Sequence, residues 1–320
     1  MDCMVIFGGC GSLGNELTLR YIDQYKIVNF SRDENKHHEM KLKYGKTDNY
    51  LCDIFDKERV KKGLIKYNPK IVILASALKH IDKCENDTDA SIKTNVIGVK
   101  NVLDSIEENM DKLSNLTNFV MVSTDKACSP TNVYGMCKAL AEKMTIEKSL
   151  RYPNIKWNIT RYGNVLNSNG SIIPYLHKVG KSANDYTLTD SRMTRFIMTL
   201  SESVDLIDHA ITTSPSGTIT IPSLSAMRIE DLFTLFSQKY NKNINIIGIK
   251  KGEKINEDLI NEMEGLLTRH SNNYLLVFPT QELYDESQDL EKYEFKGYDS
   301  SMRLLTINEL EKELKGINLY

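Results

Sequence analysis

Tyr134 and Lys138 stand four residues apart, so a helix would place both on one face. An ammonium beside a phenol favours the phenolate and lowers the tyrosine pKa from its usual ~10, making Tyr134 a candidate base toward a substrate hydroxyl. Just upstream, Thr124-Asp125-Lys126 sets a hydroxyl, an acid and an amine in direct succession. Near the start, Gly8-Gly9-Cys10-Gly11-Ser12-Leu13-Gly14 repeats glycine at 8, 11 and 14. Such a loop lets backbone N–H groups approach a pyrophosphate, and a following helix start faces the anion with partial positive charge. Gly8, Gly11, Ser12, Leu13 and Gly14 are therefore candidate dinucleotide contacts. A ligand-free tight turn would use the same glycines, and an exposed Tyr/Lys pair is common by chance. The elements around these groups decide between the readings.

The glycine loop directly follows a short apolar strand, Cys3–Phe7, and precedes a helical pattern from Ser12. Further strands are expected at Lys26–Phe30, Tyr50–Cys52, Lys70–Ala75, Asn118–Ser123 and Ile155–Arg161. Helices are expected at about Asp89–Asn109 and Asn132–Leu150. Strands separated by helices imply right-handed crossovers, hence an α/β fold with a Rossmann-like, doubly wound parallel sheet. Ligands of such sheets bind at the carboxyl ends of the strands, where Thr124-Asp125-Lys126 falls. The second strand ends in Phe30-Ser31-Arg32-Asp33. Ser31 and Arg32 suit a ribose 2′-phosphate and favour NADP, whereas Asp33 could serve the 2′-hydroxyl of NAD, and Arg32 could simply be a surface residue. Asp53 and Ile54 are candidates for the adenine. Ala75 and Ala77 either let the cofactor lie close to the backbone or serve helix–strand packing.

Past Tyr162 the strand–helix rhythm breaks. The expected division is a dinucleotide-binding domain over 1–165, with 196–222 returning to it, and a smaller, discontinuous mixed α/β substrate-binding domain over 166–320. A formal net charge of -2 lacks the basic excess of a nucleic-acid polymer binder. No apolar run approaches the ~18–20 residues of a membrane helix, and the amino terminus does not read as a signal peptide. Cys3, Cys10, Cys52, Cys84, Cys128 and Cys137 show neither a CxxC nor a metal-ligand spacing. Free thiols, no metal and a cytoplasmic location are the expectations.

These motifs resemble the extended short-chain dehydrogenases/reductases. More narrowly, the chain is similar to the inverting UDP-N-acetylglucosamine 4,6-dehydratases, which also epimerise C-5. The resemblance spans nearly the whole sequence. It rests on the glycine loop, Ser31-Arg32-Asp33-Glu34, Ala77-Leu78-Lys79-His80, Ser123-Thr124-Asp125-Lys126-Ala127, and Tyr134-Gly135 with Lys138. It continues through Arg161-Tyr162-Gly163-Asn164-Val165, Gly170-Ser171, Arg192-Met193-Thr194-Arg195-Phe196 and Gly252-Glu253-Lys254. Thr-Asp-Lys is the most specific element, since retaining hexose dehydratases carry Thr-Asp-Glu there.

The resemblance implies NADP as cofactor and UDP-N-acetylglucosamine or a related nucleotide sugar as substrate. Tyr134, supported by Lys138, would take the C-4 hydroxyl proton, with Thr124 on the C-4 oxygen. Lys126 would remove the C-5 proton, and Asp125 would protonate the departing C-6 hydroxyl. Tyr134 would return a proton to the opposite face of C-5. Lys126 must be neutral to act so, and burial or neighbouring cations are expected to depress its pKa. Asn95 resembles a structural and relay asparagine beside the cofactor, or else bonds backbone. Lys79 is assigned to both ligands. Asn164, Arg195, Glu253 and Lys254 are assigned to the substrate. Homo-oligomers pairing through Asp89–Asn109 and Asn132–Leu150 are implied too. Cys10 departs from a common threonine, Met136-Cys137 from Ala-Thr, and Lys250 from a usual arginine, which leaves the diphosphate contact open. A retaining dehydratase or a 4-epimerase would use the same Tyr134 and Lys138. A non-catalytic NADP-binding sensor would typically lack the tyrosine.

Overall fold

The structure, a computed structural model, describes residues 1–168 and 170–320. Six parallel strands form its centre: Cys3–Phe7 (β1), Lys26–Ser31 (β2), Asp48–Leu51 (β3), Ile71–Leu74 (β4), Asn118–Val122 (β5) and Lys156–Thr160 (β6). Their spatial order is β3-β2-β1-β4-β5-β6. β1 pairs with β2 on one side and β4 on the other, so the winding reverses there and opens a crevice at the strands' carboxyl ends. Met4 to Phe7 and Ile71 to Leu74 are buried, as expected of strands covered by helices on both faces.

The expected helix over Asp89–Asn109 is divided. An α-helical turn at Thr88–Ile92 passes into a π-helical stretch at Lys93–Ile97, and the α-helix resumes over Gly98–Glu107. Asn95 lies in the π stretch. Its Nδ2 donates to the Leu78 carbonyl and its Oδ1 accepts from the Leu78 N–H, both at 2.9 Å. The helix at Val133–Arg151 starts where expected, with the Asn132 side chain accepting from the Gly135 N–H at 2.8 Å.

Beyond β6 the sheet gains three strands. Ile219–Pro222 pairs parallel to β6, and the hairpin Thr268–Ser271/Tyr274–Val277 then continues the sheet antiparallel. The hairpin lies within the 166–320 range expected for the smaller domain, yet it pairs onto the main sheet. The hairpin's two-residue loop is Asn272-Asn273, with Asn272 at φ +56, a left-handed conformation that asparagine tolerates well. Leu275 and Val277 join the main core. A second core gathers Leu166, Ile173, Leu176, Tyr186, Leu232, Phe233, Phe236, Leu310 and Leu314. Strand Thr194–Met198 joins the two cores by its alternation: Phe196 and Met198 pack in the first, Ile197 in the second. Among the described residues no helix is long and apolar enough to cross a membrane.

Candidate active site

One cleft of about 800 Å³ opens at the switch point and gathers most of the candidates. One side holds Gly8, Gly11, Ser12, Leu13 and Gly14, with Ser31, Arg32, Asp53, Ile54, Ala75, Ala77 and Lys79 also lining the cleft. Thr124, Asp125, Lys126, Tyr134, Lys138 and Asn164 line the other side. The glycines are sterically required. Gly8 sits at φ +83, and a Cβ on it would lie 3.0 Å from the Ser76 nitrogen. A Cβ on Gly14 would lie 2.1 Å from the Gly9 carbonyl oxygen. Helix Ser12–Tyr21 starts after Gly11, which has no side chain to cap it. This cradle fits a dinucleotide pyrophosphate.

At the tip of β2 the Asp33 carboxylate caps the next helix, accepting from the Lys36 N–H at 3.1 Å. Ser31 donates to Cys10 Sγ at 3.3 Å and lies 2.8 Å from His37 Nε2. Arg32 Nη1 is 3.7 Å from Asp53 Oδ2, so cation and acid stand together at this end of the cleft. Gly98 allows its helix to approach this wall, because a Cβ there would meet Ile54 at 2.6 Å.

The second side is built from the end of β5 and the start of helix Val133–Arg151. A Cβ on Gly135 would stand 2.1 Å from the Lys126 carbonyl oxygen, so glycine is what brings Tyr134 beside the 124–126 turn. Asp125 is fully buried and its N–H donates to the Tyr162 carbonyl at 3.0 Å. Its Oδ1 accepts from Thr124 Oγ1 at 2.9 Å and from Lys126 Nζ at 3.0 Å. Lys138 is buried and donates to the Val122 carbonyl at 2.5 Å.

Protonation in this form differs from the sequence expectation in two respects. Tyr134 is pushed well above the ordinary tyrosine range, first by burial and then by the Asp125 charge, while the neighbouring Thr124 hydroxyl works the other way. Lys138 does not offset this; its own burial pulls it down to about 8. Lys126 is not depressed either. Burial lowers it, but the carboxyl groups of Asp125 and Glu257, when both are ionised, outweigh burial and hold its pKa above the usual lysine value. The second carboxylate came from far along the chain and was invisible to local spacing.

Four expected site residues do not line the cleft. Asn95 is fully buried and bonds the Leu78 backbone, so it supports the wall from behind. Arg195 turns inward: Nη1 donates to the Thr194 and Ile255 carbonyls, and Nη2 to the Lys254 carbonyl. Lys254 is held by Asp258 at 3.0 Å and the Cys128 carbonyl at 2.8 Å. The Glu253 carboxylate accepts from the Lys250 N–H at 3.2 Å. Each charge found a local or buried partner that the sequence did not display. In the other direction, Cys10, Leu78, His80, Lys83, Thr94 and Ser171 line the cleft without having been chosen. Gly170 carries a signal for His80: it sits at φ +75, and a Cβ there would meet the His80 ring at 2.8 Å.

Parallel winding with the cleft at the switch point places this chain among Rossmann-fold proteins. A family model described as polysaccharide biosynthesis protein matches residues 4–278. The chain belongs to that family. An inverting UDP-N-acetylglucosamine 4,6-dehydratase of Campylobacter jejuni is 34% identical over 294 residues, covering 89% of this chain and 85% of its own length. A UDP-glucose 4-epimerase of Rickettsia typhi is 36% identical over 270 residues, covering 80% and 77%. The X-ray structure of Pen from Bacillus thuringiensis matches with a TM-score of 0.90 at 25% identity, over 100% of this chain and 98% of that one. DesIV, a dTDP-glucose 4,6-dehydratase from Streptomyces venezuelae solved with NAD and TYD bound, shares the fold with a TM-score of 0.69 at 15% identity, over 79% and 86%.

Proposed function

We infer that this chain is an NADP-dependent UDP-N-acetylglucosamine 4,6-dehydratase that inverts C-5 and yields a UDP-4-keto-6-deoxy-L-sugar. The observation that carries the reading is the contact of Lys126 Nζ with Asp125 in the cleft that also holds Tyr134. Gly8, Gly11 and Gly14 would hold the dinucleotide, which would supply hydride transfer out of C-4 and back to C-6. The positive charge of an oxidised nicotinamide would favour the Tyr134 phenolate, which takes the C-4 hydroxyl proton with Thr124 beside the same oxygen. The C-4 ketone acidifies the C-5 proton, which Lys126 removes. Asp125 protonates the departing C-6 hydroxyl, and Tyr134 protonates C-5 from the other face. Asn164 lines the substrate side, and its Oδ1 is buried without a protein partner. Lys79, whose pKa is lowered by desolvation, lines the same cleft and is assigned to both ligands.

Incubation with UDP-N-acetylglucosamine tests this directly. A product lighter by one water supports the dehydratase. An altered sugar of unchanged mass would establish the second reading, a 4-epimerase, which the likeness to the Rickettsia epimerases favours. Two copies are expected to pair through the exposed Ile92, Ile97, Met136 and Leu140 of neighbouring helices.

Ser31 and Arg32 support NADP over NAD, since Asp33 is engaged in capping a helix. The prediction is that Arg32→Ala weakens NADP binding at least tenfold more than NAD binding, because a charge-assisted phosphate contact is worth about 1.5–3 kcal/mol. Calorimetric titration with both dinucleotides checks it, and equal losses would refute the assignment.

A further inference from the structure

Lys126 has two acidic neighbours. Its Nζ lies 3.0 Å from Asp125 Oδ1 and 3.5 Å from Glu257 Oε1. Glu257 precedes strand Asp258–Ile260 and is 2% exposed. Its backbone is fastened on both sides to Ser300, donating from N–H to Oγ at 2.9 Å and accepting at its carbonyl from the Ser300 N–H at 2.9 Å. That holds the carboxyl against Lys126. Three cations and one anion surround it: Lys126, Arg195, Lys254 and Asp125. None satisfies it fully. Arg195 Nε is 3.7 Å away while its Nη groups serve backbone carbonyls, and Lys254 is paired with Asp258. Among the described residues, the buried Glu257 Oε2 has no hydrogen-bond partner, and Asp125 Oδ2 is in the same condition.

A buried carboxylate oxygen without a donor is costly, and two carboxylates flanking one ammonium repel each other. A proton on Glu257 relieves both. Burial first and the Asp125 charge next push its pKa up, against Lys126, Arg195 and Lys254.

We propose that Glu257 is a positioning residue for the base, working as a neutral carboxylic acid that leaves Asp125 and Lys126 free to exchange a proton, and pinning Lys126 as an ammonium once it ionises. The inference rests on the dehydratase reading above and adds a residue to it. With Glu257 neutral, the ion pair of Asp125 and Lys126 becomes an acid and an amine by moving one proton from Nζ to Oδ1. The amine then has a lone pair for the C-5 proton, and Asp125 holds the proton that leaves with the C-6 hydroxyl as water. After these steps Nζ carries the former C-5 proton and Asp125 is ionised, which is the starting ion pair. Glu257 keeps its proton throughout, and no external acid or base is consumed.

The test compares kcat against pH for the wild type, Glu257→Gln and Glu257→Asp, with infrared spectra of the same proteins at neutral pH. Wild-type kcat should fall on the alkaline side, about tenfold per pH unit beyond the ionisation of Glu257. Glutamine keeps the shape and cannot ionise, so its alkaline fall should move up by more than about one unit. Aspartate should retain an alkaline fall. The wild type should show the C=O stretch of a protonated carboxylic acid, lost with glutamine and shifted with aspartate. A glutamine variant whose profile keeps the wild-type shape, whatever its height, would make Glu257 merely structural and overturn the proposal. So would a wild type with no protonated-carboxyl band, a readout that stands even if the glutamine variant fails to fold. A wild type that loses no water from UDP-N-acetylglucosamine would sink the dehydratase reading, while the infrared arm would still decide the protonation of Glu257.

Discussion

Tyr134→Phe should fold, bind the dinucleotide and lose turnover by roughly a hundred- to ten-thousand-fold, the usual contribution of a positioned proton acceptor. The ring is 8% exposed and phenylalanine preserves its packing, so the change removes one hydroxyl from beside Thr124 and Asp125. That hydroxyl is the only group assigned to the C-4 proton. Lys126 is paired with Asp125 and Glu257, and Lys138 donates to the Val122 carbonyl, so neither is placed to take over. The measurement is reduced-nicotinamide absorbance in a single turnover with UDP-N-acetylglucosamine. Absent or strongly slowed accumulation is expected. Accumulation at the wild-type rate would remove Tyr134 from the first step.

The second large effect concerns stability. Arg161→Ala should destabilise the fold by about 3–5 kcal/mol, as expected when one partner of a buried ion pair is deleted. Arg161 is 1% exposed. It binds Glu142 through Nη2 at 2.6 Å and Nε at 3.1 Å, and Glu264 at 2.9 Å through both Nη atoms. It also donates to the Leu259 carbonyl at 2.8 Å. Alanine would leave two acids without their cation in the wall between the main sheet and the segment carrying Glu257. Glu264 gives the pH signature. Burial alone would raise its pKa, but Arg161 outweighs burial and holds it below the ordinary value of 4.5. Its stabilising contribution is therefore complete above the unfolded value and drains away as pH falls through the folded one. Denaturant unfolding across the acid range should show this loss in the wild type and not in the variant. A variant within about 1 kcal/mol of the wild type would show that the network contributes little.

The dinucleotide half was legible because its signals are local. A strand, a glycine loop and a helix start follow one another within twenty residues, and Tyr134 and Lys138 need only helical spacing to meet. Thr124-Asp125-Lys126 could be placed because β5 ends just before it. Long-range pairing hid the rest. Arg195 and Lys254 carry the right charge for a diphosphate, yet carbonyls of other segments and Asp258 claim them. Glu257 reaches Lys126 across 131 positions of chain, and nothing in its immediate neighbours announces that contact. The Thr268–Val277 hairpin did have a local signal in Asn272-Asn273, but its place beside Ile219–Pro222 depends on tertiary pairing. The π-helical stretch carries Asn95, which clamps Leu78 across 17 residues, a pairing that local spacing does not display.

The central claim is that Lys126 removes the C-5 proton and that another group replaces it from the opposite face. Turnover of UDP-N-acetylglucosamine in deuterium oxide, with the product read by NMR, tests this most directly. The expected product has lost one water, carries deuterium at C-5 and has the L-configuration, while Lys126→Ala loses the exchange and still oxidises C-4. A D-configured product from the wild type would contradict inversion and leave a retaining dehydratase in its place.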